Sequence, residues 1–459
     1  MRTVILSDLH LGNTLGYDIF AGEKELPAYL DSLAVTPTRV VLNGDTVDFL
    51  MNEDPLELQT ERAVQQARSL VSAPSTAAVF ASLGRILAAG GEVIVRLGNH
   101  DIELALGEVQ AVFREALRQP PELAARLLFR RGDAPELLEV GGARLLLAHG
   151  DHGDNWNKVE YAHLPGPGAP ASAKAEDYKY AAGSLLVKKL LNPLKRQYGM
   201  RFADLLVPDF QGAVMAALAV NPSAVKLLFQ STTFDILWQL FRKSQMPISF
   251  DPGAPGEEDL GLAQKLDEAG LTPEEQRELE EVLGPSPVSF AGEEEGLSQR
   301  TRLKLARTFL GAYARTQRLL VGQSGERYFS LEPTEAESKE AQRLAKKFGA
   351  GAVIIGHTHA ARWKEEAGVV YANSGSWIWL MRLPSPEASD AVWTDFLEEL
   401  RTNPGLAPEK QRLAKLETRF TAVVAEPLPA GGAQVSLVEW QHAKGKAESL
   451  ATTRVAAAV

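Results

Sequence analysis

The sequence predicts an α/β protein with one binding site at the carboxyl ends of its strands. Short apolar runs typical of buried strands recur along the chain, and helical patterns separate them. Several of these runs lead directly into aspartate, asparagine or histidine, usually beside a glycine. Because α/β proteins bind ligands in the loops after such strands, the repeated polar strand ends indicate a shared site.

The first 160 residues contain most of these strands. The predicted strands cover residues 3–6, 39–43, 92–97, 137–140 and 143–148. The last two form a hairpin that turns at Gly141-Gly142. The predicted helices cover residues 23–33, 61–71, 79–89 and 109–117. Strands that alternate with helices in this way are typical of α/β proteins.

The middle of the chain, residues 161–333, is predicted to be a large and mainly helical insertion, because it has few strand signals. Its first helix is predicted over residues 178–191 by the apolar positions 182, 185, 186 and 190, and Pro193 is expected to end it. Further helices are predicted over residues 209–220 and 222–243 and after Thr272, which begins a capping box.

The strand pattern returns at Thr334, which begins a capping box with Glu337 and a helix that ends at Gly349. Strands are then predicted over residues 352–355, 368–372, 420–424 and 434–440, and a helical region over 387–415. The chain therefore divides into a first core part (1–160), the insertion (161–333), a second core part (334–442) and a C-terminal tail (443–459). The tail is expected to fray.

The composition is that of a globular protein without thiol chemistry. Hydrophobic residues make up 45% of the chain and charged residues 23%, so the core can be large. The 459 residues include no cysteine, which excludes disulfides and thiolate metal ligands. We expect no signal peptide and no transmembrane segment, and hence a cytoplasmic protein. The formal net charge of -11 argues against general nucleic-acid binding.

Five of the eight histidines follow predicted strands directly, and this pattern predicts a metal centre. They are His10, His100, His149, His357 and His359. Together with Asp8, Asp45 and Asn99 they mix imidazoles with hard oxygen donors, a set that suits Mn, Fe, Zn or Mg. The candidates are too many for one four-coordinate zinc and fit two adjacent ions that share a carboxylate. Two ions roughly 3.5–4 Å apart clamp the oxygens of a displacement at phosphorus and lower the pKa of a bridging water.

Five short motifs contain these residues. They are Asp8-x-His10, Gly44-Asp45-x-x-Asp48, Gly98-Asn99-His100-Asp101, the strand-end His149, and Gly356-His357-Thr358-His359. In this order they resemble the calcineurin-like metallophosphoesterase superfamily, over residues 1–155 and 335–440. The resemblance implies a four-layer α/β sandwich, in which two mixed sheets lie between helices, with a dimetal centre at one end. It also implies hydrolysis of a phosphomonoester or phosphodiester by a metal-bridging hydroxide.

The resemblance also assigns roles by position. One metal is held by Asp8, His10, Asp45 and His359, and the other by Asp45, Asn99, His149 and His357, so that Asp45 bridges the two. His100 is not a ligand in that pattern. It protonates the leaving oxygen or steadies the phosphoryl charge, and Asp101 orients it. Manganese is the preferred ion, with Fe, Zn and Mg as alternatives.

Smaller features favour one branch of the superfamily without deciding the substrate. The run 7–12, Asp48-Phe49 and the run 373–377 resemble the branch that contains the UDP-2,3-diacylglucosamine pyrophosphatases. Those enzymes usually have arginine at the position of His100. A phosphomonoesterase or phosphodiesterase of unspecified substrate is therefore the first interpretation, and a nucleotide-sugar or lipid pyrophosphatase is the alternative.

Two further functions share parts of these motifs. Some superfamily members have lost metal ligands and serve as non-catalytic scaffolds, but here all seven ligand positions and His100 are filled. A DNA nuclease has the same metal site, but it needs a basic surface that the net charge of -11 does not suggest. Both functions are therefore ranked below a phosphoesterase.

Basic and apolar residues are interleaved between residues 174 and 201 of the insertion. One interpretation is an electropositive lid that binds a phosphorylated small-molecule or lipid-like substrate, or that contacts a membrane surface peripherally. The other, which we favour, is a helix packed on its apolar stripe with a solvated basic face. His152, in the loop after His149, is interpreted as a solvated loop residue rather than a substrate-binding one.

Overall fold

The computed structural model describes residues 1–12, 18–154, 157–205, 220, 329–382, 384 and 388–458. The helix predicted over 222–243, the one after Thr272, and nearly all of the one over 209–220 lie outside these residues. In chain order the described helices are α1 (Glu25–Leu33), α2 (Thr60–Ser72), α3 (Pro74–Ala88), α4 (Gly107–Ala116), α5 (Pro121–Ala124), α6 (Ala182–Leu186), α7 (Asn192–Tyr198), α8 (Glu335–Phe348) and α9 (Asp390–Thr402).

The described strands form two mixed sheets and a short ribbon. In chain order they are β1 (Arg2–Leu6), β2 (Thr38–Asn43), β3 (Glu92–Arg96), β4 (Leu127–Arg130), β5 (Glu136–Val140), β6 (Ala143–Leu147), β7 (Ala352–Ile355), β8 (Ala361–Glu366), β9 (Val369–Ser374), β10 (Leu380–Met381), β11 (Leu416–Glu417), β12 (Thr421–Pro427), β13 (Ala433–Gln441) and β14 (Lys446–Val455). The ribbon pairs β10 with β11.

The larger sheet joins N-terminal strands to C-terminal ones. Its order is β14-β13-β12-β1-β2-β3-β4. Strands β1 to β4 are parallel, with Ile5 opposite Val41 and Val41 opposite Ile94, and β12 to β14 are antiparallel additions beside β1. The parallel register brings the carboxyl ends of β1, β2 and β3 to one edge, and a polar motif follows each of them.

The smaller sheet has the order β5-β6-β7-β9-β8. Its three central strands are parallel, and β5 and β8 are antiparallel edges. The carboxyl ends of β6 and β7 lead into His149 and into the loop with His357 and His359. Strands from the two halves of the chain therefore end beside each other in this sheet.

Three apolar clusters build four layers, as predicted. Side chains such as Ile5, Val41 and Ile354 fill the space between the two sheets. Helices α1 to α4 cover the other face of the larger sheet, and α8 covers the other face of the smaller one, through residues such as Leu344. Because each sheet buries both faces, the strands that carry the polar motifs are held rigidly.

Several local predictions are wrong. The tail after Ala443, expected to fray, contains β14, which pairs with β13 along its whole length. Strands β4 and β8 were not predicted, and the helical region over 387–415 contains only α9 as an α-helix. Pro193 does not end the helix before it, because a π-helical turn (Val187–Leu191) joins α6 to α7 and leaves the proline in the first turn of α7.

The described start of the insertion packs on the core. Leu186, Leu190 and Leu194 are buried in a cluster with side chains such as Trp393 and Phe396 of α9. The basic residues of this segment are anchored as well. Lys188 Nζ donates to the carbonyl and side-chain oxygens of Asn52 at 2.8 and 2.6 Å, Lys195 is buried near Met51, and Arg196 pairs with Glu53. The apolar stripe is therefore packing surface. The packed apolar stripe agrees with the favoured interpretation, but the basic face is not fully solvated, because Lys195 is buried and Lys188 is half-buried.

The chain leaves and re-enters this region at neighbouring points. The Leu205 carbonyl accepts the Met381 N–H at 3.0 Å. Arg382, the residue after Met381, contacts Phe329: its guanidinium carbon lies 3.7 Å from the centroid of the Phe329 ring. Leu205 and Phe329, on either side of residues 206–328, are therefore fixed to the core at two adjacent anchor points.

Among the described helices, none is long and apolar enough by itself to cross a membrane. Of the helix pairs in the described part of the chain, only α2 with α3 reaches that length and composition, and the chain bends by 84° between them.

Candidate metal centre

Loops after β1, β2, β3, β6 and β7 meet at one edge of the sandwich. Backbone hydrogen bonds join them in pairs, from Asp8 N–H to the Gly44 carbonyl (3.1 Å) and from Gly356 N–H to the His149 carbonyl (2.9 Å). The Asp8 carboxylate also accepts the His357 N–H, with its two oxygens at 3.1 and 2.9 Å. Loops from both sheets are thereby fixed against each other, and the predicted ligands come together.

The backbone is strained at these residues. Among the described residues, eight non-glycine positions have positive φ, and five of them are predicted ligands. These five are Asp8 (53°), His10 (46°), Asp45 (48°), His357 (67°) and His359 (56°). A left-handed conformation costs about 1–3 kcal/mol for such residues and is concentrated at functional sites. Hydrophobic packing alone does not explain this strain, which therefore supports a functional role for the cluster.

Glycines beside the ligands leave room for their side chains. A Cβ at Gly44 would overlap the His149 ring, and one at Gly98 would overlap the Asp45 carboxylate. A Cβ at Gly356 would lie 2.7 Å from Asp8 Oδ2. The glycines are therefore needed because ligand side chains from neighbouring loops lie directly against the backbone.

The first predicted ligand set is brought together. Ligand atoms of Asp8, His10, Asp45 and His359 all lie within 4.8 Å of one another. His359 Nε2 is 3.1 Å from His10 Nε2 and 3.4 Å from Asp8 Oδ1. Two imidazole nitrogens that face each other beside two carboxylates form a donor set that suits a divalent cation.

The second predicted set adjoins the first. Ligand atoms of Asp45, His149 and His357 form another group within 4.8 Å. Asn99 Oδ1 lies 3.2 Å from His149 Nε2, which places the predicted amide ligand there as well. Asp45 Oδ2 lies 3.4 Å from His149 Nε2 and 3.8 Å from His10 Nε2. One oxygen of Asp45 therefore faces both groups.

Two of the predicted ligand histidines, His149 and His10, have a partner at Nδ1 that fixes which ring nitrogen carries the proton. His149 Nδ1 lies 3.0 Å from the Asn43 carbonyl, and His10 Nδ1 lies 2.9 Å from Asp48 Oδ2. Both partners accept, so Nδ1 carries the proton and Nε2 presents a lone pair to the centre. In the neutral ring of His149, that lone pair faces the oxygens of Asp45 and Asn99. Such a cluster of acceptors requires a cation or an added proton.

The electrostatics agree with this requirement. Burial alone would raise the pKa of Asp45, but His149, His100 and His10 hold that pKa well below its ordinary value. Burial alone would lower the pKa of His149, but Asp45 and Asp8 raise it to about 10. In the metal-free protein a proton on His149 therefore balances the carboxylates. A bound cation would replace that proton.

Asp48 belongs to this cluster through contacts that the sequence did not reveal. Its Oδ2 lies 2.9 Å from Nδ1 of His100 as well as 2.9 Å from Nδ1 of His10. The carboxylate is fully buried, and although burial opposes ionisation, His100 and His10 lower its pKa strongly. Its place in the motif Gly44-Asp45-x-x-Asp48 could have drawn attention to this residue. No local sequence pattern identifies the side chains that it contacts.

The predicted role of Asp101 needs correction. Its two oxygens accept the backbone N–H groups of Gly98 and Thr46, both at 2.7 Å, and Asp48 is the carboxylate against the His100 ring. Asp101 thus ties two ligand loops together. Burial and the charge of Asp45 raise its pKa to about 7.

His152 is not a solvated loop residue either. Its side chain is 5% exposed, lies 3.4 Å from Asp151 through Nδ1, and stacks on Tyr161 with the ring centroids 5.4 Å apart. It therefore packs the start of the insertion against the loop after His149.

Comparisons with known proteins add little to this geometry. No protein-family profile matches the chain, and no curated protein matches it. One solved structure that matches is the phosphopantetheinyl hydrolase of Mycobacterium tuberculosis, at 13% identity. The match covers 84% of this chain and 98% of that one, with a TM-score of 0.24. Similarity this low supports no functional argument, so the function has to be inferred from the arrangement of the loops described above.

Proposed function

We propose that the protein is a dimetal phosphoesterase that hydrolyses a phosphomonoester or phosphodiester. The observation that carries the proposal is the position of Asp45, one oxygen of which faces both ligand groups. A shared carboxylate is what two adjacent ions require, and paired ions suit displacement at phosphorus.

In this proposal each ion has four protein ligands. The first set is Asp8, His10, Asp45 and His359, and the second is Asp45, Asn99, His149 and His357. Imidazoles and carboxylates together suit manganese, with Fe, Zn and Mg as alternatives. When bound, the ions supply Lewis-acid activation of the phosphoryl group and of water.

His100 acts on the leaving group. Asp48 accepts the proton of His100 Nδ1 and thereby orients the ring, and in this proposal Nε2 is the atom that meets the substrate. The side chain of His100 is 16% exposed, whereas those of His10 and Asp48 are fully buried, so His100 lies on the solvent side of the cluster. As a general acid, the His100 ring would donate a proton to the leaving oxygen.

The proposed substrate is a phosphorylated small molecule or a lipid-like phosphoester. A pyrophosphatase of the UDP-2,3-diacylglucosamine type is the alternative, because it requires the same centre but usually has arginine where His100 stands. A DNA nuclease and a non-catalytic scaffold rank lower, the first because of the net charge of -11.

Metal content tests the proposal. The wild type should bind two Mn²⁺ ions per chain, and Asp45→Ala should bind neither firmly because the shared ligand is gone. Asp31→Ala is the control, since Asp31 pairs with Arg85 on the surface. Two fully occupied ions in Asp45→Ala would refute the assignment. A screen of phosphomonoesters, phosphodiesters and nucleotide pyrophosphates with Mn²⁺ then separates the substrate classes.

A further inference from the structure

A carboxylate outside both ligand sets contacts one of the proposed ligands. Asp154 Oδ2 lies 3.0 Å from His357 Nε2. Asp154 follows the short 3-10 turn Asp151–Gly153, five residues after His149. A ring N–H that donates to this carboxylate leaves the lone pair on Nδ1, so the contact selects the tautomer in which Nδ1 can bind a metal.

Asp154 is itself held in place. Asn157 Nδ2 donates to the same oxygen, Asp154 Oδ2, at 2.7 Å. The N–H groups of Asn157 and Lys158 donate to the Asp154 carbonyl at 3.1 and 2.8 Å, which closes a tight turn. The side chain of Asn157 is therefore the second partner that orients the Asp154 carboxylate toward His357.

Asn157 in turn lies against the insertion. A Cβ at Gly183 would overlap the Asn157 side-chain oxygen, so this position in α6 has room for glycine only. Gly183 is buried, and α6 is fixed to the core through Leu186. A continuous series of contacts thus runs from α6 through Asn157 and Asp154 to His357.

We propose that Asp154, Asn157 and Gly183 form a positioning relay that fixes the ring of His357 and connects the start of the insertion to the metal centre. The relay rests on the proposed function, because His357 matters here as a metal ligand. Carboxylates that hold a ligating histidine typically change metal affinity about 10–100-fold when removed. Asp154 is a positioning residue, since it acts through His357.

The test is a Mn²⁺ titration of the metal-free full-length protein by calorimetry. Asp154→Ala should weaken one of the two binding events about 10–100-fold and leave the other nearly unchanged. Asp154→Asn should recover part of the loss, because the amide oxygen still accepts from Nε2 without the charge. Gly183→Ala should weaken the same event, because the new methyl group displaces Asn157. Gly405→Ala is the matched control, since a Cβ there meets nothing within 4 Å.

The outcomes separate the relay from the proposed function. A wild type that binds no Mn²⁺ refutes the proposed function. A wild type that binds two ions, with unchanged affinities in either Asp154→Ala or Gly183→Ala, refutes the relay. Circular dichroism checks the folding of each variant. If Asp154→Ala does not fold, the Mn²⁺ affinities of Asp154→Asn and Gly183→Ala test the relay.

Discussion

Replacing Asp48 by asparagine tests the sharing of one carboxylate oxygen by two histidines. Asp48 Oδ2 contacts Nδ1 of both His10 and His100 at 2.9 Å, and Oδ1 accepts the Leu50 N–H at 2.9 Å. Asparagine has the same shape but only one acceptor oxygen. In Asp48→Asn, either the Leu50 N–H or the two imidazole N–H groups must face an NH₂ group. The negative charge is lost as well.

The magnitude follows from these contacts. A hydrogen bond to a charged group contributes about 1.5–3 kcal/mol, and at saturating Mn²⁺ the contact to His100 is the one expected to act on turnover. If its loss falls on the transition state, turnover decreases about 10- to 10²-fold, since about 1.4 kcal/mol corresponds to a factor of ten. We therefore expect Asp48→Asn to lose most of its turnover while it remains folded.

The assay is turnover of a chromogenic phosphoester at saturating Mn²⁺, so that weaker metal binding through His10 does not limit the rate. The double variant Asp48→Asn/His100→Ala is the control. If Asp48 supports turnover through His100, the double variant should be about as fast as His100→Ala alone. Fully additive losses, or a single Asp48→Asn variant near the wild-type rate, would refute the reasoning.

Three further predictions concern other parts of the molecule. His100→Ala should keep its metals but lose roughly 10²–10⁴-fold in turnover, and less on nitrophenyl substrates, whose leaving group needs little protonation; an equal loss on poor and good leaving groups would assign His100 to phosphate binding instead. Burial raises the pKa of Glu103 from its ordinary 4.5 to about 7, against the opposing hydrogen bond from Tyr180. The folded state therefore holds this proton more tightly than the unfolded state, and stability decreases as pH rises from 4.5 to about 7. Glu103→Gln should remove that decrease and stabilise the protein at pH 8 by up to about 3 kcal/mol in urea titrations; an unchanged pH dependence would contradict the reasoning. Leu190→Ala should cost about 2–5 kcal/mol of stability because Leu190 is fully buried, whereas Leu413→Ala, at a position 42% exposed, should be nearly neutral in the same thermal melts.

The strands that carry the site could be predicted because both of their faces are buried. Strands β1, β2, β3 and β7 lie between a second sheet and a helical layer, so they read as continuous apolar runs. Strands β8 and β14 are sheet edges, and their sequences, ARWKEE and KAESLATTRV, contain charged residues that protect such edges. A hydrophobic pattern cannot distinguish these sequences from loops.

Within the site, residue types were easier to predict than partners. The strand-end ligands could be read locally, because each follows its own apolar run. Asp101 is next to His100 in sequence, but its oxygens turn to Thr46 and Gly98. Asp48 is 52 positions from His100 and contacts its ring. Which carboxylate contacts which imidazole depends on how loops from different strands pack together. That packing is a property of the tertiary structure and cannot be read from a local sequence pattern.

The adjacency of Leu205 and Phe329 has a consequence for how this chain can vary. The two anchor points contact consecutive residues, Met381 and Arg382, so whatever connects them has almost no distance to span. A change in the number of residues between Leu205 and Phe329 therefore need not alter the spacing of the two anchor points.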